Sequence, residues 1–261
     1  MKYIGISKDF FTPPRKIGYE GIFHMAPPVP NVYTQYAETA DDPSFSKWLR
    51  AQAEPTWSEM QDHRFVHEMT TDDIDDVILR DFMLQEYSFV DKMAALVGTA
   101  ISKAPSMAER QHLTETIEGL TKTRPPYFRK LFEEFDIPEE EWSDPELYPL
   151  TEQFHDLLYR AGSDGEFVET LVPMLAAEWL YATWTTEAAE RADTDTHTGE
   201  WIHVHLSDEY QGHVTWLQDQ LDTYGPTLPA YRERRIANIF RRTIEMEIAF
   251  HNAPYAHNEE A

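Results

Sequence analysis

The chain has 261 residues, no cysteine and a formal net charge of −25, from 47 Asp and Glu against 22 Lys and Arg. Lack of cysteine excludes disulfides, thiolate metal ligands and a thiol nucleophile, and so acidic a field repels nucleic acid and anionic membranes. The acids are spread along the chain and only 8 of the basic residues are Lys, a composition expected of a salty cytoplasm whose ions screen the self-repulsion.

Residues 1–45 hold Pro13, Pro14, Pro27, Pro28 and Pro30 with aromatics between them. Proline at this density forbids long helices, and the aromatics predict an irregular arm lying on the surface of a domain that spans residues 46–261. Helical periodicity starts over residues 42–69. Thr70 or Thr71 is the expected cap of a second helix, with Asp72 and Asp73 in its first turn. That helix carries residues 79–101 and ends at Ala104-Pro105. A third covers residues 106–123 and stops before Pro125-Pro126; a short one covers 127–135. The run Glu139-Glu140-Glu141 reads as a solvated loop. Residues 147–160 form the next helix, closed by Gly162 and Gly165. Residues 166–190 make a long apolar helix, with a bend expected at Pro173. Residues 199–221 and 228–252 complete the set. Strand-like alternation is nearly absent, so the fold class is all-α, a helical bundle. No apolar run reaches membrane-spanning length and no signal-peptide pattern opens the sequence, which predicts a cytoplasmic protein.

Three acids lie against this pattern. Glu86 shares its helical face with Leu79, Phe82, Met83, Phe89, Val90, Met93 and Val97. Glu178 shares one with Phe167, Leu171, Met174, Leu175, Tyr181 and Ala182, and Glu247 with Ile236, Phe240, Ile244 and His251. Each points along the axis of an apolar stripe. An ionised carboxylate there is costly unless paired or hydrogen-bonded. Three such acids on three helices predict one polar site inside the bundle, although each taken alone could simply pair with a buried Arg or cap a kinked carbonyl.

Several segments resemble the thiaminase II, or TenA, family of the haem-oxygenase-like fold. His63-Arg64-Phe65-Val66 is similar to the family's opening H-x-F segment. Leu84-Gln85-Glu86-Tyr87-Ser88-Phe89 resembles its L-Q-D-x-x-Y motif, with Glu86 in place of Asp and Phe89 in place of Tyr. Trp179-Leu180-Tyr181 resembles the W-L-Y that follows the family's catalytic cysteine. Trp201-Ile202 is similar to its W-I, three residues before a pocket tyrosine that is His205 in this chain. The stretch from Glu247 through Phe250 to Tyr255 resembles its closing motif, with Glu247 at the catalytic glutamate. The resemblance covers residues 57–256.

At the family's nucleophile position stands Ala177, so covalent thiol catalysis is ruled out. Ala176-Ala177-Glu178-Trp179 instead resembles the cysteine-less class, which carries a glutamate in this region. The resemblance implies a haem-oxygenase-like bundle, a homo-oligomer (tetramer or dimer), no cofactor, and hydrolysis of aminopyrimidines or their N-formyl derivatives in thiamine salvage. Carboxylates suit such a substrate, because they pair with its 4-amino group and ring nitrogen while aromatics sandwich the ring. Glu247 and Glu178 are the expected catalytic acid and base, and burial is expected to raise the pKa of Glu178. Glu86 is the expected substrate anchor. His205 is placed in the pocket by its stripe neighbours Trp201 and Trp216, while Tyr181, Phe89 and Phe154 are the expected ring walls. A dimetal oxidase on the same fold is the alternative, with Glu86, Glu178, His205 and Glu209 as ligands. It is disfavoured because the two further positions a metal would need are Met93 and Gly212. A non-catalytic pyrimidine-binding protein is a third possibility.

Overall fold

Prolines and capping side chains cut the chain into more pieces than the apolar periodicity suggests. The computed structural model describes residues 29–260, in which there are thirteen α-helices and no strand. Most of the expected N-terminal arm, including Pro13, Pro14, Pro27 and Pro28, lies outside the described residues. Its described end is not wholly irregular, for Tyr33–Ala37 forms a short helix, α1. Tyr33 packs on Phe45 and Trp48 at ring separations of 5.1 and 6.1 Å. The Pro30 carbonyl accepts from Trp48 Nε1 and Gln52 Nε2, both at 2.9 Å.

The helix expected over residues 42–69 is three: α2 (Phe45–Gln52), α3 (Thr56–Gln61) and α4 (Arg64–Thr71). Pro55 has no N–H with which to continue α2, and His63 starts α4 by accepting from the Phe65 N–H at 3.1 Å. Thr70 and Thr71 therefore end a helix instead of capping the next. Asp72 leaves α4 in the left-handed region (φ 56°), and Asp75 caps α5 (Asp76–Lys103) through the Val77 N–H at 2.9 Å. The third expected helix is α6 (Met107–Glu118) followed by a π turn over Gly119–Thr123. The turn delivers Arg124 to α7 (Pro125–Glu134), which starts on two prolines.

Glu139 to Glu141 open a short helix, α8 (Glu139–Ser143), instead of lying in a loop, and Glu141 pairs with Arg80. Gly162 lies inside α9 (Pro149–Asp164), and Gly165 follows its end. The expected helix over residues 199–221 is broken into α11 (His197–Val204) and α12 (Asp208–Tyr224), because Ser207 caps a new start by accepting from the Tyr210 N–H. Between α9 and α11 runs α10 (Phe167–Ala188), and the chain closes with α13 (Ala230–Glu260).

The centre of the bundle is α10, buried along almost its whole length and apolar all round. It packs on α13, α12, α5 and α9. A capping box of Glu166 and Glu169 starts it. Glu169 also takes a bidentate pair from Arg232 of α13, at 2.9 and 2.6 Å. Glu178 is thus carried on the central helix, with Glu86 on α5 and Glu247 on α13, both of which pack against it.

Candidate active site

All three acids are buried: Glu86 is 5% exposed, Glu178 8% and Glu247 1%. Each keeps one carboxylate oxygen buried without a hydrogen-bond partner. That is costly inside a packed bundle unless a water or a ligand supplies the partner. Arg124, at the end of the π turn, brings its Nη2 to 3.5 Å from Glu178 Oε2. At that separation the two form an ion pair but not a hydrogen bond of good geometry. The Arg124 guanidinium also lies over the Tyr210 ring, 5.4 Å from its centre, and Tyr210 donates to the Glu178 main-chain carbonyl at 3.1 Å.

Two cavities meet at Arg124. The outer one, about 140 Å³, is walled by Glu178, Tyr210, His213 and Leu120, with Glu115, Glu209 and Ser207 exposed at its rim. The inner one, about 90 Å³, is walled by Glu86, His205, Trp201, Tyr127 and Phe128. Thr123, Arg124 and Val204 border both. The inner cavity is flat-sided and aromatic with one carboxyl group, which suits a planar heteroaromatic ring. The outer one carries a carboxylate beside a fixed cation.

Burial pushes all three carboxyl groups up, and Arg124 sets one of them apart. Glu86 is pushed up to about 7 by burial, which outweighs Arg124; the charge of Glu178 pushes the same way. Glu247 is held well above the usual carboxylate range by burial and by the charges of Glu86 and Glu178, against the Tyr181 hydroxyl. Glu178 goes the other way. Burial opposes its ionisation, but Arg124, helped by His213, Tyr210 and His205, overcomes it, and its pKa lies below the ordinary value. The expectation that burial would raise Glu178 is therefore corrected: Arg124 is the buried partner.

His205 is buried at the C-terminal cap of α11, where its Nδ1–H donates to the Trp201 carbonyl at 2.8 Å. Burial and Arg124 depress its pKa to about 3, so it is a neutral imidazole with Nε2 open as an acceptor. Its ring packs on Trp201 at 4.1 Å and stacks on Tyr181 at 5.5 Å, whereas Trp216 stacks on His112 instead. The Tyr181 hydroxyl meets His251 Nε2 at 3.2 Å, and His251 Nδ1–H donates to the Glu247 carbonyl at 2.7 Å. Glu247 and Tyr181 line neither of these cavities, and nor do Phe89 and Phe154. The two phenylalanines pack with each other (4.7 Å) and with Phe250 in the core, because the face of α5 that carries Phe89 is covered by α9 and α13. Among the described residues, no group of three or more His, Asp or Glu is arranged to hold a metal ion. Met93 is buried in the core, and a side chain at Gly212 would meet open space.

The model of the TENA/THI-4/PQQC family matches residues 50–257. The chain belongs to this family. It is 21% identical over 214 residues to a protein named aminopyrimidine aminohydrolase from Halalkalibacterium halodurans, which covers 81% of this chain and 96% of that protein. A protein of the same name from Helicobacter pylori is 20% identical over 212 residues, covering 80% and 98%. The TenA homologue of P. horikoshii superimposes with a TM-score of 0.74 at 20% identity, covering 82% of this chain and 99% of that one, so the fold is the haem-oxygenase-like helical bundle.

Within this TenA-like frame, the shared sequence segments have physical reasons. His63 is a helix cap whose Nε2 also meets Asn252 Oδ1 of α13 at 3.1 Å. Gln85 pins the loop before α9: its amide donates to the Glu146 carbonyl and accepts from the Tyr148 N–H, at 3.0 and 3.1 Å. Trp179 packs on Trp57 at 5.1 Å, under the cations of Lys47 and Arg50. Sequence reasoning missed Arg124, Tyr127, Tyr210 and His213. The one available signal was the demand of a buried Glu178 for a cation.

Proposed function

We propose that this TenA-family chain hydrolyses aminopyrimidines, or their N-formyl derivatives, in thiamine salvage, with buried glutamates in place of a cysteine. The relatives named aminopyrimidine aminohydrolase support the substrate class at low identity. The observation that carries the mechanism is the opposed protonation of buried carboxyl groups on helices that pack against one another. Glu178 is kept ionised by Arg124, while Glu247 is kept protonated by burial and its acidic neighbours. Carboxyl groups driven apart in this way divide into base and acid.

In this scheme the pyrimidine lies in the inner cavity, with Glu86 against its polar edge and Trp201, Tyr127 and His205 around its faces. Glu178 takes a proton from water, and the water oxygen bonds to the carbon that carries the scissile nitrogen. The C–N bond breaks as Glu247 gives its proton to that nitrogen. An unsubstituted amine leaves as ammonia; an N-formyl substrate yields formate and the free amine. Exchange with solvent then returns a proton to Glu247 and removes one from Glu178. Positioned acid and base groups of this kind contribute roughly 10²- to 10⁴-fold in rate.

The test is an assay of the purified protein with an aminomethylpyrimidine and its N-formyl derivative, before and after iodoacetamide. Release of ammonia or formate, undiminished by the alkylating agent, is expected. No turnover of either compound would refute the proposal.

A further inference from the structure

Keeping Glu178 ionised uses one edge of Arg124, and a reaction at a free amine gives the rest of its guanidinium nothing to do. A guanidinium offers five N–H donors, and among the described residues the one close polar partner of Arg124 is Glu178 at 3.5 Å. Arg124 borders both cavities, together with Thr123 and Val204. Next to a protonated aminomethyl group, this cation would place like charges together. An amide nitrogen carries no charge, and its carbonyl oxygen gains negative charge as water adds. A fixed cation with free donors serves that oxygen.

The outer cavity is also larger than either small product needs. Holding one water takes on the order of 10–15 Å³ of such volume, whereas this cavity measures about 140 Å³. It adjoins Glu178, the base, and opens to solvent between Glu115 and Glu209, both exposed and acidic. An uncharged chain fits there, while a second carboxylate would face the two acids at the rim.

Building on the hydrolase assignment above, we propose that Arg124 holds the carbonyl oxygen of an N-acyl substrate and that the outer cavity takes its acyl chain. The substrate class is then N-acyl aminopyrimidines whose acyl groups extend beyond formyl and carry no negative charge. Water adds to the carbonyl carbon and gives its proton to Glu178. The tetrahedral oxyanion rests on Arg124. The C–N bond then breaks with a proton from Glu247, releasing a carboxylic acid and the aminopyrimidine.

The experiment compares kcat/KM for the free aminomethylpyrimidine and for its N-formyl, N-acetyl, N-butanoyl and N-succinyl derivatives. The acetyl and butanoyl compounds are expected to equal or exceed the formyl one. The free amine and the succinyl compound should each fall about ten-fold or more below butanoyl, a discrimination typical of one unmatched group in a pocket. Turnover of the free amine alone, or a collapse from formyl to acetyl, overturns the acyl assignment and leaves the hydrolase assignment intact. No turnover of any compound overturns both. In Arg124→Gln, kcat for the amide should fall about 10²- to 10³-fold, as on removal of an oxyanion donor, with KM changed only a few-fold. Arg124→Lys should recover part of that loss. Equal loss on amide and amine in both variants, with an unchanged melt, would reduce Arg124 to its part in keeping Glu178 ionised and overturn the assignment.

Discussion

Glu86 and Glu178 are both buried carboxyl groups on long apolar helices, yet they titrate in opposite directions, because Arg124 sits 3.5 Å from one of them. For Glu86 the consequence is measurable in stability. Its folded pKa is raised to about 7 from an ordinary 4.5. The folded state therefore binds the proton more tightly, and stability falls as pH rises from 4.5 towards 7. The loss by pH 8 is on the order of 3 kcal/mol. Glu86→Gln removes it, so the variant should match wild type near pH 4.5 and be more stable at pH 8. Urea melts with the same pH dependence in both proteins would contradict this. At this scale the sequence revealed the acids well, because a carboxyl group in the middle of an apolar stripe conflicts with the burial around it. The position of His205 beside the inner cavity followed from the same periodicity. Arg124 did not, since an Arg before Pro125-Pro126 at an expected helix end reads as surface. Phe89 and Phe154 were misplaced, because an aromatic on a buried face looks the same whether it lines a cavity or fills the core.

The helices that hold the site depend on close backbone contacts that periodicity does not report. Gly199 lies in the first turn of α11, where a Cβ would come within 1.7 Å of the Asp193 carbonyl oxygen. A methyl group there meets main chain, which cannot swing aside as a side chain can. Gly199→Ala should cost about 1–3 kcal/mol, the usual range for overpacking. It should also lower activity, because α11 carries Trp201 and His205 into the inner cavity. A variant with wild-type melt and turnover would show that the 193–196 segment shifts freely. The bundle itself was legible from apolar spacing. Its breaks were not, because Pro55, Ser207 and the π turn at Gly119–Thr123 interrupt helices whose apolar spacing continues across them. The π turn matters most, since it places Arg124 at the site.

On the scale of the molecule, a net charge of −25 works against any compact state. Its repulsion is spread over the surface and is therefore screened by salt. The thermal midpoint is expected to rise between dilute buffer and molar KCl; a flat response would remove the salt-adaptation reading of the composition. No helix among the described residues is long and apolar enough to cross a membrane. In the mechanism proposed above, the central helix offers an ionised carboxylate, Glu178, one residue beyond Ala177. The direct test of that claim is the turnover of an N-formyl aminopyrimidine by wild type and by Glu178→Gln, with substrate binding measured alongside. The account predicts that kcat falls about 10²-fold or more, as for loss of a general base, while the dissociation constant moves only a few-fold. Weakened binding with kcat unchanged would make Glu178 an anchor and contradict it.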